Sequence, residues 1–377
     1  MKSIEEYILL SKNMPNTSDG GSAAYHFDDV VLVEYTNLNK YGLARDNEEL
    51  ISIAANNKRY KGVNTPYHLA FKRIVEGEKN YCYVLQERAK GVCFDRYTSY
   101  KNSPDEQIIK QLELFNLPQS IYDKLVSDLY ELINMGIELK PKNIYFDKEY
   151  GFTIIDLLGY NSTPVNENSL LDIMTLKRLT EAIFNFTVID RYTKGANTEL
   201  VNKSKELNYG IKKKIYLALK KKIINFDKIN RFILRTYSKE ELEYFNNNNN
   251  IKVEDLSFTD KEHKDFDDII NYIIYNYINK IGKRELSYYD VIVNEIRNLI
   301  SRMGLKDNFK YHKDYPKLNR EDYEDDWDYK DALNNYLDNM IYDRFDKRLE
   351  ELSNTTYNEY IIAAYKESCK KRSRVLK

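Results

Sequence analysis

A chain of 377 residues is long enough for a sizeable core and for two or three domains or lobes. Hydrophobic residues make up 42% and charged residues 31%, the balance of a soluble globular protein, and a net charge of −1 excludes a global polyelectrolyte signal for nucleic acid. No run of about 18 apolar residues is present, so no transmembrane helix is expected. The opening MKSIEEYILLSKNM carries acidic residues and a short apolar run, unlike a signal peptide. A cytoplasmic location is the expectation, and a secreted effector would look the same. Cys82, Cys93 and Cys369 form no C-x-x-C, and His26, His68, His263 and His312 have no zinc-ligand spacing. Both sets are expected to be ordinary packed or exposed residues.

Taken in order, residues 1–14 read as a short helix with Ile4, Tyr7, Ile8 and Leu9 to one side. After the polar break Pro15–Asp19, Gly20-Gly21-Ser22 opens a hairpin with Asp28-Asp29 at its turn and Val30–Tyr35 as the second strand. Asp46–Tyr60 reads as a helix, acidic in its first turn and closed by Lys58-Arg59, as the macrodipole favours. Gly62–Pro66 is a turn. His68–Val75 and Tyr81–Gln86 read as strands around Gly77. Pro104–Leu117 and Pro118–Met135 read as helices, the second with Ile121, Leu125, Leu129, Leu132 and Ile133 at helical spacing.

The stretch Gly136–Gly159, GIELKPKNIYFDKEYGFTIIDLLG, organises the rest. Lys140-Pro141-Lys142-Asn143 is turn-like. The strand Ile144–Phe146, the polar turn Asp147–Gly151 and the strand Phe152–Ile155 make a hairpin that ends on Asp156. Asn143 just before the first strand and Asp156 just after the second bring an amide oxygen and a carboxylate to one side. Oxygen donors of this kind suit Mg²⁺.

This stretch resembles the catalytic loop and metal-binding segment of the protein-kinase-like superfamily, whose pattern is H-R-D-L-K-P-x-N, a hairpin, then D-F-G. The resemblance implies that Asn143 and Asp156 hold Mg²⁺ and that Lys140 offsets charge on the transferring phosphoryl group. Gly136-Ile137 replaces His-Arg, Glu138 stands where the catalytic Asp would be, and Leu157-Leu158 follows Asp156 in place of Phe-Gly. By the same resemblance, Gly20, Gly21 and Ser22 are a phosphate loop, where small residues let backbone N–H groups approach phosphates. Gln86, Glu87 and Arg88 begin an adenine-binding hinge that continues to Gly91. The Asp46–Tyr60 helix is the regulatory helix, with Glu48 or Glu49 as its ion-pairing glutamate or with all its charges solvated. Asp172 braces the catalytic loop or serves its own helix dipole. No A-P-E closes the short segment after Asp156. The family Lys of V-A-I-K falls on Glu34 in Val31-Leu32-Val33-Glu34. Three readings stand open: a different register, a Lys from elsewhere such as Lys40 or Lys58, or a pseudokinase.

The resemblance covers about residues 18–190. Beyond it, residues 203–245 read as helical, with Lys212–Lys214 and Lys220–Lys222 on a solvated surface or facing phosphate or acidic protein. Asn246–Asn250 reads as a loop and a boundary. Apolar residues in 260–303, then Tyr329–Leu352 and Thr356–Cys369, read as further helices before the basic tail Lys370–Arg374.

The expected fold is α+β and bilobal, kinase-like, with a small β-rich N-lobe (1–88), a helical C-lobe (89–245) and an α-helical extension or accessory domain (251–377). The expected function is an ATP- and Mg²⁺-dependent phosphotransferase acting on protein Ser/Thr hydroxyls, with Glu138 and Lys140 catalytic. The alternative is a pseudokinase that binds nucleotide or a partner protein without catalysis. A protein substrate or partner is expected, without nucleic acid and without a membrane span.

Overall fold

The computed structural model describes residues 2–19, 22–36, 62–76, 79–98, 102–134, 140–155, 170–184, 198–249, 256–280, 288–314, 318 and 322–354. Contacts divide the chain into two compact units, Met1–Glu167 with Leu179–Ile224, and Asn168–Arg178 with Asn225–Lys377. The architecture is α+β, an antiparallel N-terminal sheet followed by helices.

The first unit opens with α1 (Ile4–Ser11), whose Ser3 and Glu6 form a reciprocal capping box. A five-stranded antiparallel sheet follows in the order β1 (Thr17–Asp19), β2 (Ser22–His26), β3 (Val30–Thr36), β5 (Lys79–Glu87), β4 (His68–Glu76). Alternation splits its residues between two faces. Ile4 and Ile8 of α1 pack on Tyr25, Leu32, Tyr83 and Leu85 on one face. Tyr35, Cys82 and Val84 form a cluster on the other, with Val33 and Phe71 against it. Lys72 of β4 pairs with Glu5 of α1 at 2.5 Å, on the first face.

Past β5 the chain forms β6 (Val92–Cys93) and the short helix α2 (Phe94–Tyr97), then α3 (Pro104–Asn116) and α4 (Gln119–Asn134). Ser103 caps α3 with Glu106, and Pro104 occupies the first helical position, where its missing N–H costs nothing. The hairpin β7 (Ile144–Asp147) and β8 (Gly151–Ile154) joins β6 in a second sheet, order β6-β7-β8. Helix α5 is Leu170–Ile183, and α6 (Thr198–Lys222) packs on α3 and α4.

The lysine runs of α6 divide between the expected solvated surface, where Lys220 and Lys221 are exposed, and half-buried positions at Lys212, Lys213, Lys214 and Lys222. Lys214 donates to the carbonyls of Phe115 and Leu117, which close α3. Lys221 pairs with Asp123 at 2.6 Å and Lys222 with Glu131 at 3.0 Å, both on α4. Lys214 and Lys222 are half-buried, while Lys221 reaches Asp123 from the solvent-exposed side.

In the second unit come α7 (Phe226–Leu234), α8 (Lys239–Asn249), α9 (Asp260–Lys280), α10 (Tyr289–Arg302) and α11 (Asp326–Asn354). The asparagine run expected to be a loop is helical to Asn249. The reciprocal Ser238–Glu241 cap starts that helix and buried Leu242 and Phe245 anchor it, so the weak helix formers that follow only extend an existing helix. Ile270, Ile273 and Ile274 of α9, Ile292 and Ile296 of α10, and Leu337 and Ile341 of α11 are buried at helical spacing. Arg235 is fully buried and donates to both carboxylate oxygens of Glu262, at 3.2 and 3.0 Å.

Candidate active site

The base of the site is an aromatic cluster of the first unit. Phe94 of α2, Phe146 of β7, Phe152 of β8 and Phe184 after α5 pack with ring centroids 5.1–6.3 Å apart. Phe94 is completely buried. This cluster fixes the hairpin against the helices before any polar group is considered.

The hairpin register is Ile144↔Ile154, Tyr145↔Thr153, Phe146↔Phe152 and Asp147↔Gly151. Asp147 caps the turn, its side chain accepting the N–H groups of Glu149 and Tyr150 at 2.8 and 3.0 Å. Gly151 leaves the turn at φ +75, a conformation that suits glycine. At the open end, Pro141–Asn143 forms a single 3₁₀ turn, with the Asn143 N–H donating to the Lys140 carbonyl at 2.9 Å. The Ile155 N–H then donates to the Asn143 carbonyl at 2.8 Å. Asn143 is 9% exposed. The residue before Asp156 is therefore bonded to Asn143.

Asn64 locks the outer side of the hairpin. Its carbonyl accepts the Ile154 N–H at 3.0 Å, and its amide donates to the Phe152 carbonyl at 2.6 Å and to the Thr153 hydroxyl at 3.2 Å. Its own N–H donates to Asp128 of α4 at 3.1 Å. Burial raises the Asp128 pKa, outweighing Lys124, the Asn64 N–H and Lys222. The sequence had given this stretch only as a turn.

Glu138, Gly20, Gly21 and Asp156 lie outside the described residues, as do Lys40, Lys58, Glu48 and Glu49. Ser22 opens β2, paired with Asp19 and Tyr35. The two-residue connection between Asp19 and Ser22 is Gly20-Gly21. Lys140 is half-buried at the start of the 3₁₀ turn, and Asp172 stands in the first turn of α5.

Gln86 and Glu87 are the last two residues of β5, in register with Val31 and Val30. The Glu87 N–H donates to the Tyr67 carbonyl at 2.9 Å and the Arg88 N–H to the Asp29 carbonyl at 3.0 Å. Gly91 ends this segment at φ +80, where a Cβ would lie 2.0 Å from the Phe146 carbonyl oxygen. The chain leaving the first sheet is thus pressed onto β7 through a position only glycine fits.

Glu34 sits mid-strand in β3, opposite Ala23 and Tyr83. The Tyr25 hydroxyl donates to its carboxylate at 3.4 Å. Burial, then the Glu34 charge and hydrogen bond, pushes the Tyr83 hydroxyl well above its usual range. Both tyrosines belong to the cluster under α1. The Glu34 carboxylate is therefore engaged by tyrosines on that face of the sheet.

No family model and no curated protein matches the chain. Among solved structures, the chain is similar to a MAP kinase, LmaMPK10 from Leishmania major. That match has 12% identity and a TM-score of 0.31, and covers 63% of this chain and 89% of that one. It is also similar to WaaP, solved in complex with acyl carrier protein, at 9% identity with a TM-score of 0.29, covering 64% of this chain and 92% of that one. Among the described residues no helix is long and apolar enough to cross a membrane.

Proposed function

We propose that this chain is an ATP- and Mg²⁺-dependent phosphotransferase of the protein-kinase-like type, acting on a protein hydroxyl. The observation that supports it most is the closure of the hairpin, with the Ile155 N–H on the Asn143 carbonyl at 2.8 Å. That bond holds Ile155, the residue before Asp156, at Asn143, and so supports the reading. An amide oxygen and a carboxylate are hard donors that fit Mg²⁺, which takes one or two protein ligands with water and phosphate oxygens. Asn143 is largely buried, so the fold fixes its backbone. Bound there, the ion would neutralise charge on the β- and γ-phosphates.

The chain's own residues then have simple tasks. Glu138 orients the acceptor hydroxyl and takes its proton. Lys140 offsets charge on the transferring group. Backbone N–H groups of Gly20, Gly21 and Ser22 cradle phosphate. The N–H groups of Glu87 and Arg88 are engaged by the Tyr67 and Asp29 carbonyls, so the adenine-binding donor would lie further along the segment toward Gly91. Phosphoryl transfer depends mainly on positioning and electrostatics, so a glutamate in the base position is compatible with turnover.

A pseudokinase reading has one observation in its favour. Strand β3 carries no lysine, and the carboxylate of Glu34 is held by tyrosines. Thermal unfolding with ATP, with and without Mg²⁺, separates the two. Saturating ATP–Mg²⁺ at about 100 times its Kd stabilises by about 2.7 kcal/mol. The phosphotransferase reading expects that gain to need Mg²⁺ and to vanish in Asn143→Ala and Asp156→Ala. Equal stabilisation without Mg²⁺ favours the pseudokinase, and no stabilisation overturns the nucleotide site.

A further inference from the structure

We infer that the second unit carries an acid-operated latch: neutral His312 holds residues 306–314 against α9, and a proton on its Nδ1 releases residues 312–314, where the chain sets off toward α11. The inference concerns the second unit alone and stands whether or not the chain transfers phosphate.

The geometry fixes which nitrogen of His312 carries the ring proton. The 3₁₀ turn Lys306–Tyr311 closes on His312, whose main-chain N–H donates to the Phe309 carbonyl at 2.9 Å. Positions three apart eclipse in such a turn, so Phe309 and His312 share a face. Both rings pack on Phe266 of α9, with centroids 5.3 and 5.9 Å away. His312 is buried, and its Nδ1 accepts the Asp314 N–H at 3.2 Å. That nitrogen is therefore unprotonated, and the one proton of the neutral ring sits on Nε2. Nε2 lies 3.4 Å from the carboxylate of Asp267 on α9. Arg344 of α11 bonds the same carboxylate and also donates to the Asp267 carbonyl at 3.2 Å and to Asn271 at 3.1 Å. One carboxylate thus ties the turn to α9 and α9 to α11.

A second proton can enter only at Nδ1. There it faces the Asp314 N–H, donor against donor, and the bond is lost. The Asp314 carboxylate, exposed and 3.8 Å from Nδ1, is the group left to receive that proton. His263 of α9 is buried with its ring perpendicular to His312 at 4.8 Å. Two imidazoles this close in the interior disfavour a charge on both.

The other charges around the ring are already engaged. Arg235 stacks on Phe258, which also touches His312, and is paired with Glu262. The buried face of α10 is apolar, and its Arg297 pairs with Asp338 of α11 at 2.9 Å. On the turn itself, Lys306 reaches Asn334 of α11 and Lys310 lies over the Tyr311 ring, with Asp307 between them in sequence. Burial, joined by the His263 charge, holds the His312 pKa below its usual value against the pull of Asp267 and Asp314. A histidine depressed in the latched state takes its proton more readily once released. The latch is therefore full above the ordinary histidine pKa of about 6.5 and weakens as pH falls below it.

The test is hydrogen exchange on the full chain, read by mass spectrometry over the amides of His312 and Asp314 and corrected for the intrinsic pH dependence of exchange. The expected result is protection at roughly pH 7.5 that falls by about tenfold at roughly pH 5.5, since each unit below about 6.5 shifts the release equilibrium by up to that factor. His312→Asn places a carbonyl oxygen near the Nδ1 position and does not titrate, so the protection it keeps should not vary with pH. Asp314→Asn keeps the N–H and loses the exposed carboxylate. Its protection should match the wild type at neutral pH, and its acid loss should be larger. Because Asp314 is exposed, this variant tests the latch even where the His312 variant does not fold. Wild-type protection that does not change with pH, no protection at neutral pH, an acid loss that persists in His312→Asn, or an acid loss in Asp314→Asn no larger than that of the wild type overturns the inference.

Discussion

The Ile155 N–H donates to the Asn143 carbonyl at 2.8 Å across the open end of the β7–β8 hairpin. The bond ties a turn residue to the one just before Asp156. Ile155→Pro removes the donor and leaves the β region that residue 154 already occupies. The expected result is a loss of about 1 kcal/mol in stability and of at least about tenfold in Mg²⁺-dependent nucleotide binding, since positioning carries that site. Ile155→Val, which keeps the N–H, should bind normally. Calorimetric titration of both variants checks this, and normal binding by the proline variant contradicts it.

Asn64 joins two backbone groups and one side-chain hydroxyl of β8 to α4. Asn64→Ala leaves its own main-chain bonds in place but strips the Phe152 carbonyl and the Thr153 hydroxyl of their donor. Urea unfolding should show a loss of about 1–3 kcal/mol. Asn64→Asp should cost more, because it sets a second carboxylate beside buried Asp128. An aspartate variant as stable as wild type would show that the side-chain amide is not what holds β8.

Gly91 answers to sterics alone. At φ +80 with the Phe146 oxygen 2.0 Å from a would-be Cβ, Gly91→Ala must move either the β5–β6 segment or β7. A loss above about 2 kcal/mol is expected. Gly62, at φ +81 with nothing near its Cβ position, is the control and should lose roughly 1 kcal/mol from its backbone conformation alone.

The Arg235–Glu262 pair gives a pH signature for the second unit. Burial raises the Glu262 pKa, but bonds from Arg235 and the Thr259 N–H, with the charges of Arg235 and Arg231, outweigh it, and the net shift is downward. A carboxyl depressed in the folded state binds protons more readily when unfolded. Its contribution is full above the ordinary carboxylate pKa and is lost as pH falls through the folded value. Glu262→Gln should flatten the acid limb of the stability profile. Arg235→Ala, which leaves the carboxylate without its buried partner, should cost about 3–5 kcal/mol at neutral pH. An acid limb unchanged in the glutamine variant would refute the assignment.

Much of the site was legible because it is local in sequence. Ile144–Ile155 alternates around a turn, so the strands fell within one residue of where they stand. The polar knot was not legible, because Asn64, Asp128 and Thr153 meet only through tertiary packing. His263 and His312, scattered in sequence, have ring centroids 4.8 Å apart for the same reason. The alternation of β3 did not say which face α1 covers, and that face decides what Glu34 touches. Other features were readable but unread. The pattern Ser/Thr-x-x-Glu recurs at Ser3, Ser103, Ser238 and Thr259, and each instance caps a helix. The lysine runs of α6 were only half legible: Lys220 and Lys221 are exposed as expected, whereas the partners of Lys214 and Lys222 are set by packing against α3 and α4.

Phosphoryl transfer itself is open to direct measurement. The most direct measurement gives the purified chain γ-labelled ATP, Mg²⁺ and a mixture of serine- and threonine-containing acceptor proteins, beside Asp156→Ala and Asn143→Ala. Label is expected on an acceptor or on the chain itself, dependent on Mg²⁺ and lost in both variants. Label that persists in Asp156→Ala, or no transfer by a wild-type chain that ATP and Mg²⁺ demonstrably stabilise, would contradict it.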